Sequence, residues 1–160
     1  MTVAVTSYSV VKALHVMAAF GAYGLPLTYP LLLPYLRRRH RAAMPGVHEV
    51  QHRLNRRLTG PGTVLILAFG AYMASKSHLW GEAWVDVPVA ILVVIGAVGG
   101  AIIVPASRRM AELARLDLDA GVATWSREYD RLFRRYMAAE VLLGALVLVA
   151  IFFMAAKPFA

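Results

Sequence analysis

Four long apolar stretches alternate with polar segments along the chain. They cover about residues 8–36, 61–79, 87–106 and 136–156. Each could cross the hydrocarbon core of a bilayer as an α-helix, which takes about 20 apolar residues. Pro26, Pro30 and Pro34 predict a kink or an unwound turn in the second half of the first stretch. The pattern therefore predicts an all-α fold, a four-transmembrane-helix bundle that forms a single membrane domain over residues 1–160.

The polar segments 37–60 and 107–135 also carry a helical pattern. Their apolar residues recur at helical spacing: Val47, Val50, Leu54 and Leu58 in the first, and Trp125, Tyr129, Leu132, Phe133 and Tyr136 in the second. We expect amphipathic helices that extend the spans beyond the membrane, with a turn at residues 119–121. On such helices, two ion pairs have the required spacing: Glu128 with Arg131, and Asp130 with Arg134.

The distribution of charge predicts the orientation of the bundle. All fourteen arginines lie in segments 37–60 and 107–135, whereas Lys12, Lys76 and Lys157 lie at the opposite ends of the apolar stretches. Cytoplasmic loops of membrane proteins carry an excess of arginine and lysine. We therefore expect both arginine segments in the cytoplasm and both termini outside.

Composition supports a membrane protein and excludes several kinds of site. The hydrophobic fraction of 59% and the mean hydropathy of +0.60 are high for a soluble globule. The formal net charge is +8, but because the arginines flank apolar stretches we expect anionic lipid headgroups as the partner and no nucleic acid. Cysteine is absent, which excludes disulfides, thiolate metal sites, cysteine nucleophiles and covalently attached c-type haem.

Small residues interrupt the apolar stretches at several points. Gly96 and Gly100 form a GxxxG pair in the third stretch, a pattern that lets transmembrane helices approach closely. Packing within one chain is one explanation, and contact with another subunit or with a flat cofactor is the alternative. A larger membrane complex and a homo-oligomer both remain open as assemblies.

His15 lies inside the first predicted span, where an ionisable side chain is costly and is a functional candidate by default. Its imidazole is a candidate ligand for the iron of haem b. His78, at the outer end of the second span, is a candidate second ligand, and Met73 and Met154 are further ones. The alternative is a histidine that forms a hydrogen bond inside the bundle.

Glu140 is the second ionisable residue inside a predicted span, near the inner end of the fourth. We expect this intramembrane acid to form an ion pair with Arg135 or Arg57 at the membrane interface. A role in a proton relay is the alternative. No residue is predicted to be catalytic.

His48, Glu49 and His52 match the HExxH pattern of zinc peptidases. On a helix both histidines would share one face, with the glutamate placed to activate a metal-bound water. The surrounding arginines disfavour a divalent cation, and a peptidase also needs a third ligand and a cleft. We therefore interpret the match as an amphipathic interfacial helix rather than a functional metal site.

The first span opens on Lys12-Ala13-Leu14-His15, and Arg53 to Leu58 followed by Pro61 leads into the second. Both segments resemble small bacterial four-helix membrane proteins: the HemJ-type protoporphyrinogen oxidases, the CopD-type copper-resistance domains and, closest, the predicted integral membrane families near them. The resemblance implies a haem- or porphyrin-related role with His15 as the key residue. The third span lacks the opening lysine and the Tyr-His pair expected of the oxidases, which disfavours porphyrinogen oxidation.

Three functions are compatible with these observations. We expect an accessory or haem-b-binding subunit, not an enzyme, of a bacterial membrane redox or transport assembly. One alternative is a divergent porphyrinogen-oxidising enzyme that uses His15 and Lys12. The other is a structural subunit without a cofactor.

Overall fold

The computed structural model describes residues 6–121 and 123–158. These residues form helices, turns and short connections, and no strand occurs among them. Four helical rods, each long and apolar enough to cross a membrane, run over Ser7–Arg39, Arg41–Lys76, Ala83–Asp119 and Arg127–Ala156. The predicted all-α fold with four membrane-spanning helices is confirmed.

Prolines divide the first rod. Helix α1 covers Ser7–Tyr23, and the hydroxyl of Thr6 accepts a hydrogen bond from the Ser9 backbone N–H at 3.2 Å. A 3₁₀ turn over Pro26–Thr28 follows, and helix α2 runs over Tyr29–Arg39. The predicted break is confirmed, and its cause is the missing N–H of proline, which an uninterrupted helix needs.

The second and third rods each contain a π-helical segment directly before a proline. The second consists of a 3₁₀ turn, α3, a π segment and α4: Arg41–Ala43, Met44–Leu54, Asn55–Thr59 and Gly60–Lys76. The third consists of α5, a π segment and α6: Ala83–Val98, Gly99–Ile103 and Val104–Asp119. Pro61 and Pro105 cannot donate to the carbonyl four residues back. Just before them, the N–H groups of Gly60 and Val104 donate five residues back instead, so each proline accounts for the wider turn beside it.

The fourth rod is a single helix, α7, over Arg127–Ala156. The turn predicted before it, at residues 119–121, is confirmed, and Gly121 adopts φ +65 there, a conformation that glycine reaches without strain. Helix α4 ends at Lys76, slightly before the end predicted at residue 79.

The arginine segments are helical, as predicted, since α3, α6 and the start of α7 extend past the apolar stretches. The ion pairs at the start of α7 are different from those predicted. They join different rods: Glu128 with Arg109 at 2.8 Å, and Asp130 with Arg37. The prediction of Arg131 and Arg134 as partners was wrong, because spacing along one helix does not show which arginines a neighbouring rod supplies.

The rods pack in three main contacts: α1 against α4, α3 against α6, and α5 against α7. Gly62 lets α4 touch α1, because a Cβ at this position would lie 2.8 Å from the Cβ of Ala22. The GxxxG pair behaves differently. A Cβ at Gly100 would meet nothing within 4 Å, and one at Gly96 would meet only the Thr63 methyl group at 3.7 Å. Gly100 therefore borders open space, and Gly96 makes only an ordinary contact with α4.

Candidate functional site

His15 lies at a cavity between the rods, hereafter the His15 cavity. The cavity has a volume of about 470 Å³, and its lining is apolar apart from the side chains of His15 and Tyr23. The imidazole lies against α4, where a Cβ at Gly70 would come within 3.4 Å of its Cε1. The Nδ1 atom of His15 is buried and the backbone of Ile66 lies near the imidazole, but among the described residues Nδ1 makes no hydrogen bond of good geometry. A buried nitrogen that is poorly paired is costly, and such a group in a folded protein needs a reason.

The structure does not bring His78 to this cavity. His78 follows α4 in a left-handed conformation with φ 53, and it is exposed. Gly70, which faces His15, lies six residues before the end of α4 at Lys76, about 9 Å along the helix, and His78 follows beyond that end. Met154 lines the His15 cavity, whereas Met73 does not. Of the second-ligand candidates, Met154 is the one that shares a cavity with His15.

A larger cavity, hereafter the Glu140 cavity, has a volume of about 570 Å³. It lies between α4, α5 and α7 and reaches the surface at Val64 and Val93, which are 65% and 55% exposed. Both π segments contribute to its walls. Most of the lining is aliphatic or glycine, and its polar side chains are Tyr23, Asn55, Arg56, Thr59, Thr63 and Glu140.

Glu140 is 6% exposed and faces this cavity one helical turn after Tyr136. It lies close enough to Tyr29 and Tyr136 to interact with both electrostatically. Within the described part of the chain it forms no ion pair, so the pairing expected with Arg135 or Arg57 is not observed. The physical reason is direction: both arginines are exposed at the surface, whereas Glu140 points into the bundle.

A buried hydrogen-bonded chain leads from the arginine end of the bundle towards the Glu140 cavity. The Tyr129 hydroxyl lies 2.8 Å from Nε2 of His48, and Nδ1 of His48 lies 2.8 Å from Oε1 of Gln51. Gln51 and Asn55 both donate to the hydroxyl of Tyr136, at 3.3 and 3.5 Å. All five side chains are at most 5% exposed.

The chemistry of the amide fixes the direction of these bonds. Oε1 of Gln51 can only accept, so Nδ1 of His48 carries the proton and Nε2 accepts from the Tyr129 hydroxyl. His48 lies in α3, outside the membrane-spanning stretches, and burial lowers its pKa to about 4; the Gln51 bond opposes this shift and nearby Arg37 adds to it. The chain therefore joins α3 to α7 through buried hydrogen bonds.

The side chains of the HExxH match, His48, Glu49 and His52, do not point towards a common binding site. Both ring nitrogens of His48 bond to protein groups, and Nδ1 of His52 donates to the carbonyl of Val104 at 3.0 Å. Glu49 is half-buried and accepts a bond from Arg53 at 2.6 Å. No three histidine, aspartate or glutamate side chains among residues 6–121 and 123–158 are grouped as metal ligands. The motif in the structure is an amphipathic helix that buries His48.

Sequence reasoning missed Gln51, Asn55 and Tyr136 as members of a buried set. A signal was present, because His48, Gln51 and Asn55 follow one another at helical spacing and so share one face. The tyrosines on the opposing helix α7 were interpreted as part of an apolar face, and their hydroxyl groups gave no pattern along the sequence.

Comparison with known proteins places the chain among membrane proteins. Residues 9–158 match the family described as "Predicted integral membrane protein (DUF2269)". The comparisons with curated proteins and with solved structures gave no match.

Proposed function

Because the chain belongs to this family of integral membrane proteins, we propose that it is a non-catalytic membrane subunit that binds haem b through His15. The observation that carries the proposal is the His15 imidazole, which lines an apolar cavity and has a buried nitrogen that makes no well-formed hydrogen bond among the described residues. The resemblance of the Lys12 to His15 segment to the HemJ-type and CopD-type proteins agrees with this choice of ligand.

The residues around the His15 cavity fit a haem. Imidazole is a common ligand of haem iron, and a methionine thioether completes the ligand pair in many cytochromes. Met154 supplies such a thioether at the same cavity. The apolar walls suit a porphyrin ring, and the absence of a side chain at Gly70 leaves room for the imidazole. Bound haem would supply one-electron chemistry, with His15 and Met154 as the residues that would hold the iron.

The position of Lys12 favours haem binding over porphyrinogen oxidation. This residue, the second member of the enzymatic alternative, is exposed and does not line the His15 cavity. Tyr23 does line the cavity, but its hydroxyl is bonded to Thr63 at 2.7 Å. Apart from His15 itself, no residue of the described lining is placed as an acid or base that could exchange protons with a bound porphyrinogen.

We also propose that the protein lies in the cytoplasmic membrane of a bacterium with its arginine end inside. The rods bring their arginines to one end, where ion pairs such as Arg109–Glu128 and Arg115–Glu49 join them across rods. Most of these arginines remain exposed and can contact anionic headgroups. A place in a larger redox or transport assembly is part of the same proposal.

A visible spectrum of the detergent-purified protein tests the haem proposal. Protein from haem-replete membranes should show a Soret band, and His15→Ala should remove it because the iron loses its ligand. His78→Ala is the matched control: it removes a histidine of the same chain that is exposed and outside the cavity, so the band should persist.

Circular dichroism and gel filtration establish that each variant is folded. A folded wild-type protein that stays colourless, even after incubation with haemin, would overturn the proposal. So would a Soret band of equal intensity in His15→Ala.

A further inference from the structure

The Glu140 cavity has no part in haem binding as proposed, yet it has the form of a second ligand site. We infer that it binds an isoprenoid quinone taken up from the bilayer, with the quinone ring beside Glu140 and Asn55. This inference goes beyond the proposed function and does not depend on haem.

The size and position of the cavity suit a ligand that comes from the lipid phase. Its volume of about 570 Å³ lies within the range of about 300–1,000 Å³ usual for small-molecule sites. Its opening at Val64 and Val93 lies on the apolar part of the second and third rods. A ligand with a long apolar tail can therefore leave its tail in the bilayer while its head lies between the helices.

Two π-helical segments form part of the wall of the Glu140 cavity. Both π segments, Asn55–Thr59 and Gly99–Ile103, contribute lining residues, and π turns occur often at functional sites. Gly99 and Gly100 have no atom within 4 Å of the position where a Cβ would lie. These two glycines make no close helix contact in this chain and line the cavity, so they leave open space beside its wall that a planar ring can occupy.

Charge and hydrogen bonding select the head group. Glu140 is buried in the wall, whereas Arg56 lines the same cavity and is exposed. Glu140 is buried and forms no ion pair among the described residues, which favours its neutral acid form. Arg56, the Asn55 amide and this acid form can all donate hydrogen bonds, so a neutral head group that accepts them suits the cavity. Quinone carbonyls meet these requirements on a planar ring.

A wall of shared residues separates this cavity from the His15 cavity. Tyr23, Leu27, Leu92 and Val147 line both. The two cavities therefore lie one after the other along the bundle. Glu140, Asn55 and Gly100 do not line the His15 cavity, and His15 and Met154 do not line the Glu140 cavity. Each cavity can therefore be altered by substitutions that leave the other unchanged.

Native mass spectrometry of the detergent-solubilised protein with added short-chain ubiquinone tests the inference. The mass of the adduct distinguishes a quinone from a phospholipid, and a titration gives the apparent affinity. Gly100→Leu should weaken quinone binding by about tenfold or more, because the new side chain fills the cavity without meeting a protein atom at its Cβ. Gly21→Leu is the matched control, since its Cβ also meets nothing and Gly21 lines neither cavity.

A second pair of variants covers the case in which Gly100→Leu does not fold. Glu140→Gln keeps a hydrogen-bond donor and should bind the quinone within about threefold of the wild type, whereas Glu140→Leu should lose about tenfold. The inference is overturned if the wild type forms no quinone adduct, if phosphatidylglycerol displaces the quinone completely at equal concentration, or if the leucine variants that fold bind as the wild type does.

Discussion

At the scale of single residues, His48 shows how one buried side chain holds two helices together. Its two ring nitrogens bond to Tyr129 of α7 and Gln51 of its own helix, and its side chain is fully buried. A neutral imidazole satisfies both bonds, whereas a protonated ring would lose its acceptor and carry a charge in a buried site. Burial thus makes the fold sensitive to acid at this residue.

The stability of the protein should therefore fall as pH decreases from about 6.5 towards about 4. In the unfolded chain His48 takes up a proton near its ordinary pKa of 6.5, but in the folded protein it does so only near a pKa of about 4. Between these values the unfolded state binds more protons, so the free energy of unfolding decreases, by up to about 3 kcal/mol at the lower limit. Thermal unfolding in detergent over this pH range measures the effect.

Between about pH 6.5 and about pH 4, the free energy of unfolding of the His48→Gln variant should decrease less than that of the wild type, because glutamine does not titrate. His40→Gln serves as the control, because His40 is exposed and its replacement should leave the pH dependence unchanged. Equal pH dependence in the wild type and in His48→Gln would contradict this account of the buried chain.

The candidate residues differ in how well the sequence predicts them. His15 and Glu140 could be singled out because an ionisable side chain in an apolar stretch stands out without knowledge of the fold. The placement of Met154, not His78, at the His15 cavity could not be predicted, since it depends on where α4 ends and how α7 lies. The same holds for the bonds of Gln51 and Asn55, which require the face of α3 and the face of α7 to be known together.

At the scale of helices, the contact of α1 with α4 depends on an exact fit of small residues. A methyl group at Gly62 would lie 2.8 Å from the Cβ of Ala22, well inside van der Waals contact. Gly62→Ala should therefore destabilise the protein by about 1–3 kcal/mol through overpacking, more than the gain of up to about 1 kcal/mol from helix propensity.

Thermal unfolding of the detergent-purified variants measures this effect. Gly21→Ala is the comparison within the same pair of helices, because its Cβ would meet nothing within 4 Å; it should be neutral or slightly stabilising. If both alanine variants changed the unfolding midpoint by the same amount, the close contact at Gly62 would not hold α1 to α4.

Most of the helices could be predicted from the sequence, because hydropathy and proline positions act locally. The break near Pro26 and the turn at Gly121 belong to this class. The π segments before Pro61 and Pro105 were not predicted, since a proline also permits an ordinary helix start. The ion pairs Glu128–Arg109 and Asp130–Arg37 were not predicted either, because they depend on contacts between rods.

At the scale of the whole molecule, the two ends of the bundle differ in character. One end consists of helices that extend past the apolar stretches and carry the arginines, with ion pairs between rods. The other end consists of short connections, such as the turn at Ser77 that follows α4. This asymmetry underlies the proposed orientation. The Glu140 cavity, which Arg56 lines, lies nearer the arginine end than the His15 cavity does.

Cysteine labelling in intact cells tests this account most directly. The chain contains no cysteine, so Ser77→Cys and Ala120→Cys, both at exposed turns at opposite ends of the bundle, each introduce a unique thiol. With a maleimide that does not cross membranes, Ser77→Cys should react in intact cells, and Ala120→Cys only after the cells are permeabilised. Labelling of Ala120→Cys from outside, or recovery of the protein in the soluble fraction without detergent, would contradict the account.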